Sequence, residues 1–380
     1  MKLFNILRKI KKSFSDYRPS VEIFIYRKNL LHNLNEYKRK YPNLAFAPVL
    51  KSNAYGHGLI QIAQILDKED VAFLVVDSLF EAMALRNEGI KTQILVIGYT
   101  SAENINGSQL SGVAFAITSL EQLQTIDCGL KNAKKFHLKI DTGMHRQGIL
   151  PGEIAEAIKI IKRNKDINLK GICSHLADAD NENEDFTRLQ ISRWEKAVSI
   201  FKQNFSTIKF FHLSATAGLN YSHQFSSNVA RLGLGLYGIN PAPLVKMDLK
   251  PVLEMHSVVS SIKNIGAGEY IGYNAVFKAD KAMKIATIPV GYFEGIDRRL
   301  SNKGYVRIKN ADCPIAGKVS MNISSLDITS TSGVKLNDQA VIVSSHPQDK
   351  NSVENMARLA ETIPYEILIH FPAHLRRIIK

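Results

Sequence analysis

Residues 48–58 read PVLKSNAYGHG, with a lysine between an apolar run and a turn that contains two glycines. The apolar run 43–50 predicts a strand that ends at Lys51. Burial at the end of such a strand favours the neutral amine, which is the form that attacks carbonyl carbon. Tyr55 adds a hydroxyl that can bind an anion, and the glycines allow close approach of the backbone. These features favour a Schiff base between Lys51 and pyridoxal phosphate, with the phosphate near Tyr55; an ordinary solvated lysine is the alternative.

Apolar runs of strand length recur up to about residue 236, and amphipathic helical patterns separate most of them. The runs lie at 43–51, 71–77, 92–98, 112–117, 135–141, 169–176, 209–215 and 230–236. The helical patterns include 78–88, 119–127, 153–164 and 185–204. Continuously apolar strands that alternate with helices indicate a parallel sheet covered by helices. Eight of them predict a (β/α)8 TIM-type barrel, with an open doubly wound sheet as the alternative.

The pattern changes after the segment Asn240-Pro241-Ala242-Pro243. Strand-like pieces then follow one another without helices between them, at 255–265, 283–290, 304–309, 313–319, 323–328 and 339–344, and one helical pattern comes late, at 352–361. This texture predicts a mostly β C-terminal domain. We therefore expect an N-terminal arm at 1–17, a barrel at 18–245 and a β domain at 246–380.

Composition describes a globular chain of 380 residues, with 45% hydrophobic and 22% charged residues. The three cysteines have no metal-ligand spacing and form no disulfide framework, which favours a reducing, cytoplasmic compartment. Of the net charge of +14, the first eighteen residues contribute +5 through six basic residues and one acidic residue. The remaining +9 is spread thinly, with no basic block interleaved with aromatic residues. Nucleic-acid binding therefore has no support in the sequence.

The arm at residues 1–17 alternates basic residues with an apolar face formed by Leu3, Ile6, Leu7, Ile10 and Phe14. It contains no apolar stretch of signal-peptide or membrane-spanning length. A basic amphipathic helix could lie on an anionic membrane surface, and packing on the protein itself or a loose arm are the alternatives.

In a barrel, functional side chains follow the strands. Arg146 could hold a carboxylate through two hydrogen bonds, or be a surface arginine. His175 could stack on a planar ring, or be a core histidine. Thr216 offers a hydroxyl for a phosphate, although capping of the next helix explains it equally well. Arg231 lies in an apolar setting, where a charge needs a partner.

Taken together, residues 48–58 and the segments around Arg146, Arg231, Tyr273 and Met321 resemble alanine racemase in order and spacing. The resemblance extends from about Arg18 to Arg377. It implies a pyridoxal-phosphate enzyme that interconverts L-alanine and D-alanine and supplies D-alanine for cell-wall peptidoglycan. It also implies a homodimer in which the barrel of one subunit faces the β domain of the other.

The resemblance assigns two bases, which are Lys51 for D-alanine and Tyr273 of the partner subunit for L-alanine. Two bases on opposite faces of the cofactor suit removal of the Cα proton from one side and its return from the other. Arg146 and the backbone of Met321 would hold the substrate carboxylate. Lys139 matches a lysine that is carbamylated in some members. The residues implied to surround the cofactor are Tyr55, His175, Thr216, Arg231, Gly233, Leu234 and Tyr365.

The chain departs from the family pattern at two places that bear on the site. Ala215-Thr216 stands where Asn-Ser is frequent, which keeps a hydroxyl and loses an amide, and Asn322 stands where aspartate is common. A racemase of broader or serine preference is therefore an alternative. A barrel-type decarboxylase is less similar around Lys51 and Met321, and a pyridoxal-phosphate carrier protein would lack the β domain with its second base.

Overall fold

The computed structural model of the protein describes residues 18–241 and 246–380; the arm at 1–17 and residue 245 lie outside the described residues. The described chain forms two units. Of the described residues, one unit takes 25–241, 246–253, 364–369 and 379–380, and the other takes 18–24, 254–363 and 370–378. The domain boundaries expected from sequence remain a prediction.

The first elements in the chain are strand β1 (Glu22–Ile25) and helix α1 (Arg27–Lys40). Within the described residues, eight parallel strands then form the barrel. They are β2 (Ala45–Pro48), β3 (Leu74–Val76), β4 (Ile94–Val96), β5 (Val113–Ile117), β6 (Lys134–Lys139), β7 (Ile167–Cys173), β8 (Phe210–His212) and β9 (Val229–Leu232).

Hydrogen bonds between strands close the barrel. Strands β3 to β8 pair in sequence order, and β2 pairs with β9 in parallel. The bond from Leu50 N to Val75 O (2.7 Å) joins β2 to β3, and the bond from Arg231 N to Ser214 O (3.0 Å) joins β9 to the end of β8. The closed order confirms the predicted (β/α)8 barrel and excludes the open doubly wound sheet.

Helices cover the barrel strands. All five residues of β5 are buried, because a barrel strand faces side chains on one side and helices on the other. Serines cap several helices, as where the Ser119 hydroxyl accepts a bond from Gln122 N at 3.1 Å. The helices are α2 (Leu59–Leu66), α3 (Leu79–Asn87), α4 (Ala102–Gly107), α5 (Leu120–Gly129), α6 (Ile154–Arg163) and α7 (Asp185–Asn204).

Some covering segments were not evident in the sequence. The short helix α4 carries one buried side chain, Ile105, and so has no apolar periodicity to detect. A 3-10 helix, Ala217–Gln224, follows β8. Helix α1 packs on the segment after β9, where Asn33 Nδ2 donates to Leu236 O at 3.0 Å. None of the helices in the described residues combines the length and the apolar composition needed to cross a membrane.

The second unit is mostly β, as the sequence predicts. Its strands are β10 (Leu253–Val258), β11 (Ser261–Ile265), β12 (Tyr270–Ile271), β13 (Phe277–Lys278), β14 (Met283–Ile288), β15 (Tyr305–Ile308), β16 (Ala311–Pro314), β17 (Ser324–Asp327), β18 (Gln339–Val343) and β19 (Arg376–Ile379). One sheet has the order β16-β15-β18-β10-β1-β19, another the order β11-β14-β17, and β12 pairs with β13. The predicted strand 255–265 is two strands, β10 and β11.

Two helices come late in the chain, α8 (Val353–Leu359) and α9 (Pro364–Ile369). The sequence predicts α8, whereas α9 is too short to show a period. Helix α9 belongs to the barrel unit, and its close approach to Gly56 explains why a glycine stands at that position. A Cβ on Gly56, whose φ is +77°, would lie 2.0 Å from Leu368 O.

Candidate active site

Lys51 follows β2 and opens a turn of unusual backbone conformation. Ser52, Asn53, Ala54 and Tyr55 have φ values of 55°, 56°, 52° and 51°, so four consecutive non-glycine residues are left-handed. Each such residue costs roughly 1–2 kcal/mol. The bonds from Ala54 N to Leu50 O (2.7 Å) and from Leu59 N to Asn53 Oδ1 (2.8 Å) hold the turn at both ends. The turn brings Tyr55 back into the barrel unit, where it is 8% exposed.

Hydroxyl and backbone N–H groups converge around Tyr55. A Cβ on Gly233 would lie 3.2 Å from the Tyr55 hydroxyl oxygen and 3.9 Å from Thr216 Oγ1. Gly233 N donates to Thr216 Oγ1 at 3.2 Å, and Leu234 begins a 3-10 helix. The Tyr365 ring lies 5.7 Å from the Tyr55 ring. Burial raises the pKa of Tyr55, so its hydroxyl stays a neutral donor. This cradle has the donors that a phosphate group requires.

Arg231 is a buried cation whose partners are neutral. Nη1 donates to His212 O (2.6 Å) and lies 2.7 Å from His212 Nδ1. Nη2 donates to Ser174 O (2.6 Å) and Leu213 O (2.9 Å), and lies 3.3 Å from His175 Nδ1. Among the described residues, no carboxylate lies within ion-pair distance of Arg231. Carbonyl oxygens and imidazole nitrogens therefore solvate the charge.

The imidazoles around Arg231 are uncharged. Burial, followed by the charge of Arg231, lowers the pKa of His175 to about 3. The same two causes lower the pKa of His212 well below its usual range. Because Arg231 Nη1 donates to His212 Nδ1, the His212 ring carries its proton on Nε2. His212 Nε2 then donates to His137 Nδ1 at 2.7 Å, and this bond extends the hydrogen-bond network into the barrel.

Gly171 makes room for His137, the last member of this hydrogen-bond network. A Cβ on Gly171 would lie 2.7 Å from His137 Nδ1. Burial and the charge of Arg231 lower the pKa of His137 to about 3. The hydrogen-bonded series of side chains His137, His212 and Arg231 therefore contains one cation and no anion. The sequence singled out Arg231 and His175 but not His212 or His137, which lie inside strands instead of after them.

A small pocket next to this network is lined by Lys139, Met144, Arg146, Gln147, Ser174 and His175. Lys139 Nζ donates to Gln147 Oε1 at 3.0 Å, and burial lowers the pKa of the Lys139 amine. Asp141 Oδ1 accepts bonds from the backbone N–H groups of Gly143 (2.8 Å) and His145 (3.1 Å), which shapes the turn that carries Arg146. Arg146 is exposed, and no carboxylate within residues 18–241 and 246–380 occupies its guanidinium.

The Lys51 side chain is 41% exposed and not buried as the sequence suggested, because it lies at the open edge of the barrel, and it has one charged neighbour that was not foreseen. Asp77 follows β3, and its Oδ1 lies 3.8 Å from Lys51 Nζ. The rule that functional side chains follow barrel strands would have identified it, since the predicted strand 71–77 ends there.

Tyr273 and Met321 lie in the β unit. Tyr273 follows Gly272 (φ 75°) and is 66% exposed, and Met321 is 55% exposed. Hydrogen bonds from Tyr292 N to Ser320 O (3.0 Å) and from Phe293 N to Met321 O (2.9 Å) hold the Met321 loop. Asn322 Nδ2 donates to Glu294 Oε1 at 2.7 Å. The structure thus gathers the predicted residues within each unit, and the pairing of Tyr273 and Met321 with the barrel of a second subunit remains a prediction.

Comparisons with known proteins identify the family of this chain. Residues 25–241 match the family described as "Alanine racemase, N-terminal domain", and residues 252–379 match "Alanine racemase, C-terminal domain". The chain is 33% identical over 375 residues to "Alanine racemase 1" of Caldanaerobacter subterraneus subsp. tengcongensis, which covers 96% of each chain. It is 35% identical over 364 residues to an alanine racemase of Borreliella burgdorferi, with 93% of this chain and 96% of the relative covered.

Solved structures give the same result. The fold superposes on an alanine racemase of Clostridium difficile 630 with a TM-score of 0.89 and 28% identity, covering 96% of this chain and 97% of that chain. Sequence matches over both units and a shared fold over nearly the whole length identify this chain as a member of the alanine racemase family, and therefore as an isomerase.

Proposed function

We propose that this chain interconverts L-alanine and D-alanine with pyridoxal phosphate as its cofactor. The observation that supports this most directly is the cationic network of Arg231 with neutral imidazoles, at the same edge of the barrel as Lys51 and the phosphate cradle. Parallel strands bring these groups to one edge because their carboxyl ends coincide there.

The residues present fit pyridoxal phosphate. The hydroxyls of Tyr55 and Thr216 and the N–H groups at Gly233 and Leu234 suit its phosphate. Lys51 suits its aldehyde carbon, Arg231 its ring nitrogen, and His175 its ring face, with Tyr365 beside the phosphate. When bound, the cofactor supplies an electron-withdrawing ring that stabilises negative charge on the Cα atom of the amino acid.

Arg231 would determine whether the ring nitrogen of the cofactor is protonated or only hydrogen-bonded. A guanidinium keeps its protons at any ordinary pH, so Arg231 would offer the ring nitrogen a hydrogen bond and not a proton. Three carbonyl groups and two imidazoles hold Arg231 in one orientation. We expect this arrangement to limit transfer of protons to other atoms of the cofactor, and thus to limit transamination.

Two bases move the Cα proton. Lys51 takes it from D-alanine, and Tyr273 of the partner subunit takes it from L-alanine. The Arg146 guanidinium and the backbone N–H of Met321 of the partner subunit orient the substrate carboxylate, so that Cα–H faces one base or the other. The high exposure of Tyr273 and Met321 supports a homodimer, because large side chains left uncovered in one subunit are typical of an interface. We place the enzyme in the cytoplasm, where it supplies D-alanine for peptidoglycan.

The direct test is to incubate the purified protein with L-alanine and pyridoxal phosphate and to measure both enantiomers by chiral chromatography. We expect equal amounts of L- and D-alanine at equilibrium. Lys51→Ala should lose the activity, whereas Lys68→Ala, which removes an exposed lysine, should retain it. Failure of the wild-type protein to form D-alanine would contradict the proposal. Parallel reactions with L-serine measure substrate breadth.

Mixing two inactive variants tests the shared site. A heterodimer of Lys51→Ala with Tyr273→Phe would contain one doubly altered site and one intact site if each site uses both subunits. Random exchange should then restore about one quarter of the wild-type activity. If each subunit carried a complete site of its own, mixing would restore none.

A further inference from the structure

The carboxylate of Asp77 is fixed close to Lys51 by the barrel itself. Strands β2 and β3 are neighbours, so the residues that follow them, Lys51 and Asp77, come to the same edge. The distance from Lys51 Nζ to Asp77 Oδ1 is 3.8 Å. Among the described residues, Lys51 is the one cation within ion-pair distance of this carboxylate.

The backbone of Asp77 is held on two sides. Asp77 N donates to Glu81 Oε2 at 2.8 Å, and Asp77 O accepts from Gly98 N at 3.0 Å. A Cβ on Gly98 would lie 2.3 Å from Asp77 O and 3.1 Å from Asp77 Oδ2, so only glycine fits there. The backbone of Asp77 is therefore fixed at the edge of the barrel, and Gly98 leaves room for its carboxylate.

Glu81 also links Asp77 to the turn that follows Lys51. Its Oε1 atom lies 3.5 Å from Asn53 N, while its Oε2 atom holds Asp77 N. The same side chain completes the cap of α3 with Ser78. The capped N-terminus of α3 thus positions both Asp77 and the turn that begins at Lys51.

We propose that Asp77 is a positioning residue for Lys51. Its carboxylate, 3.8 Å from Lys51 Nζ, holds the amine at the side of the barrel edge formed by β3. The proposal rests on the function proposed above where it concerns proton transfer. There the Cα–H bond of D-alanine breaks, and its proton forms a new N–H bond on the Lys51 amine. A carboxylate at 3.8 Å favours the ammonium that results.

The charge pair can be tested on the cofactor-free full-length protein by trace acylation with acetic anhydride, which reacts with neutral amines. Mass spectrometry would give the rate at Lys51 relative to Lys68 in the same molecules. Because the Lys51 and Asp77 side chains are 41% and 55% exposed, we expect Asp77→Asn to raise the Lys51 rate about two- to fivefold, the range for an exposed ion pair. Asp77→Glu should keep the wild-type rate, and Asp70→Asn, an exposed acid elsewhere, is the matched control.

The consequence for catalysis can be read from isotope effects in the loaded enzyme. Asp77→Asn should increase the primary isotope effect for D-alanine deuterated at Cα relative to that for deuterated L-alanine, because only the Lys51 step becomes slower. Equal changes in both directions would indicate a merely structural role and would overturn the proposal, as would an unchanged acylation rate. Absence of racemisation by the wild-type protein would instead overturn the function proposed above and leave the acylation result standing.

Discussion

The segments that follow Lys51 and Tyr273 share a backbone feature and differ in their surroundings. Ser52 to Tyr55 are left-handed, and so are Asn274 and Ala275, with φ values of 63° and 50°. Ala54 is fully buried and Tyr55 nearly so, whereas Tyr273 to Ala275 are exposed within their own unit. Strained backbone persists where its surroundings over-determine it. The barrel supplies such surroundings for the Lys51 turn, and the proposed second subunit would supply them for Tyr273.

The largest effect should come from the exposed member of the pair. Tyr273→Phe removes the proposed base for L-alanine, so we expect the racemisation rate to fall about 10²- to 10⁴-fold. The melting temperature should stay close to wild type, because the hydroxyl is exposed. Initial rates from L-alanine and a thermal melt measure both quantities. Tyr270→Phe, at another exposed tyrosine, is the control, and a full rate in Tyr273→Phe would remove Tyr273 from the mechanism.

The stability of the buried part of the site, in the barrel unit, should depend on Arg231. Arg231→Leu leaves three carbonyl groups and two imidazoles without their donor, so we expect the free energy of unfolding to fall by about 3–5 kcal/mol. Urea denaturation followed by the fluorescence of Trp194, the single tryptophan and a buried residue of α7, measures this change. Arg146→Leu should cost less than about 0.5 kcal/mol, because Arg146 is exposed. Similar losses for the two arginines would contradict the description of Arg231 as the buried cation of the site.

Acid should affect the barrel through its buried histidines. The pKa values of His137 and His175 are about 3 in the folded chain, below the unfolded value near 6.5. Between these values the unfolded chain binds protons that the folded chain excludes, so stability is present above about pH 6.5 and is lost as the pH falls. At pH 5 the loss should be about 2 kcal/mol per histidine.

Urea unfolding of the cofactor-free protein at pH 7.5 and pH 5, with Trp194 as the probe, checks this dependence. His137→Gln should reduce the slope of stability against pH by about one proton. His145→Gln changes an exposed imidazole and serves as the control. A stability that does not change between the two pH values would contradict the assignment of neutral, buried rings.

The smallest effect should come from the strained turns themselves. Ser52→Val places a β-branched residue in the left-handed region, and we expect a loss of about 1–2 kcal/mol in unfolding free energy. Asn274→Val should cost less than about 1 kcal/mol in the isolated subunit, because an exposed segment can relax. Ser52→Asn should be nearly neutral, since asparagine tolerates this conformation. Equal costs at the two positions, measured by urea denaturation, would remove the distinction between the two segments.

Much of the fold could be predicted from sequence, because barrel strands and covering helices are regular and long enough to show their period. The helix at Asp185–Asn204 has the predicted bounds, and each barrel strand lies within a predicted run or overlaps it. Short elements such as α4 and α9 could not be found this way. Contacts with distant parts of the chain define such elements. Leu368 of α9, for example, places its carbonyl oxygen so close to Gly56 that a Cβ would not fit there.

Local periodicity and motif spacing are enough to predict the order of the elements, the change from barrel to β unit and the residue types of the candidate site. Three features are visible in the folded chain alone. Carbonyl groups and neutral imidazoles solvate Arg231, His212 and His137 continue its network, and Asp77 lies beside Lys51. Those facts depend on distances between residues far apart in the chain. Strand pairing and close packing fix such distances, and no local pattern encodes them.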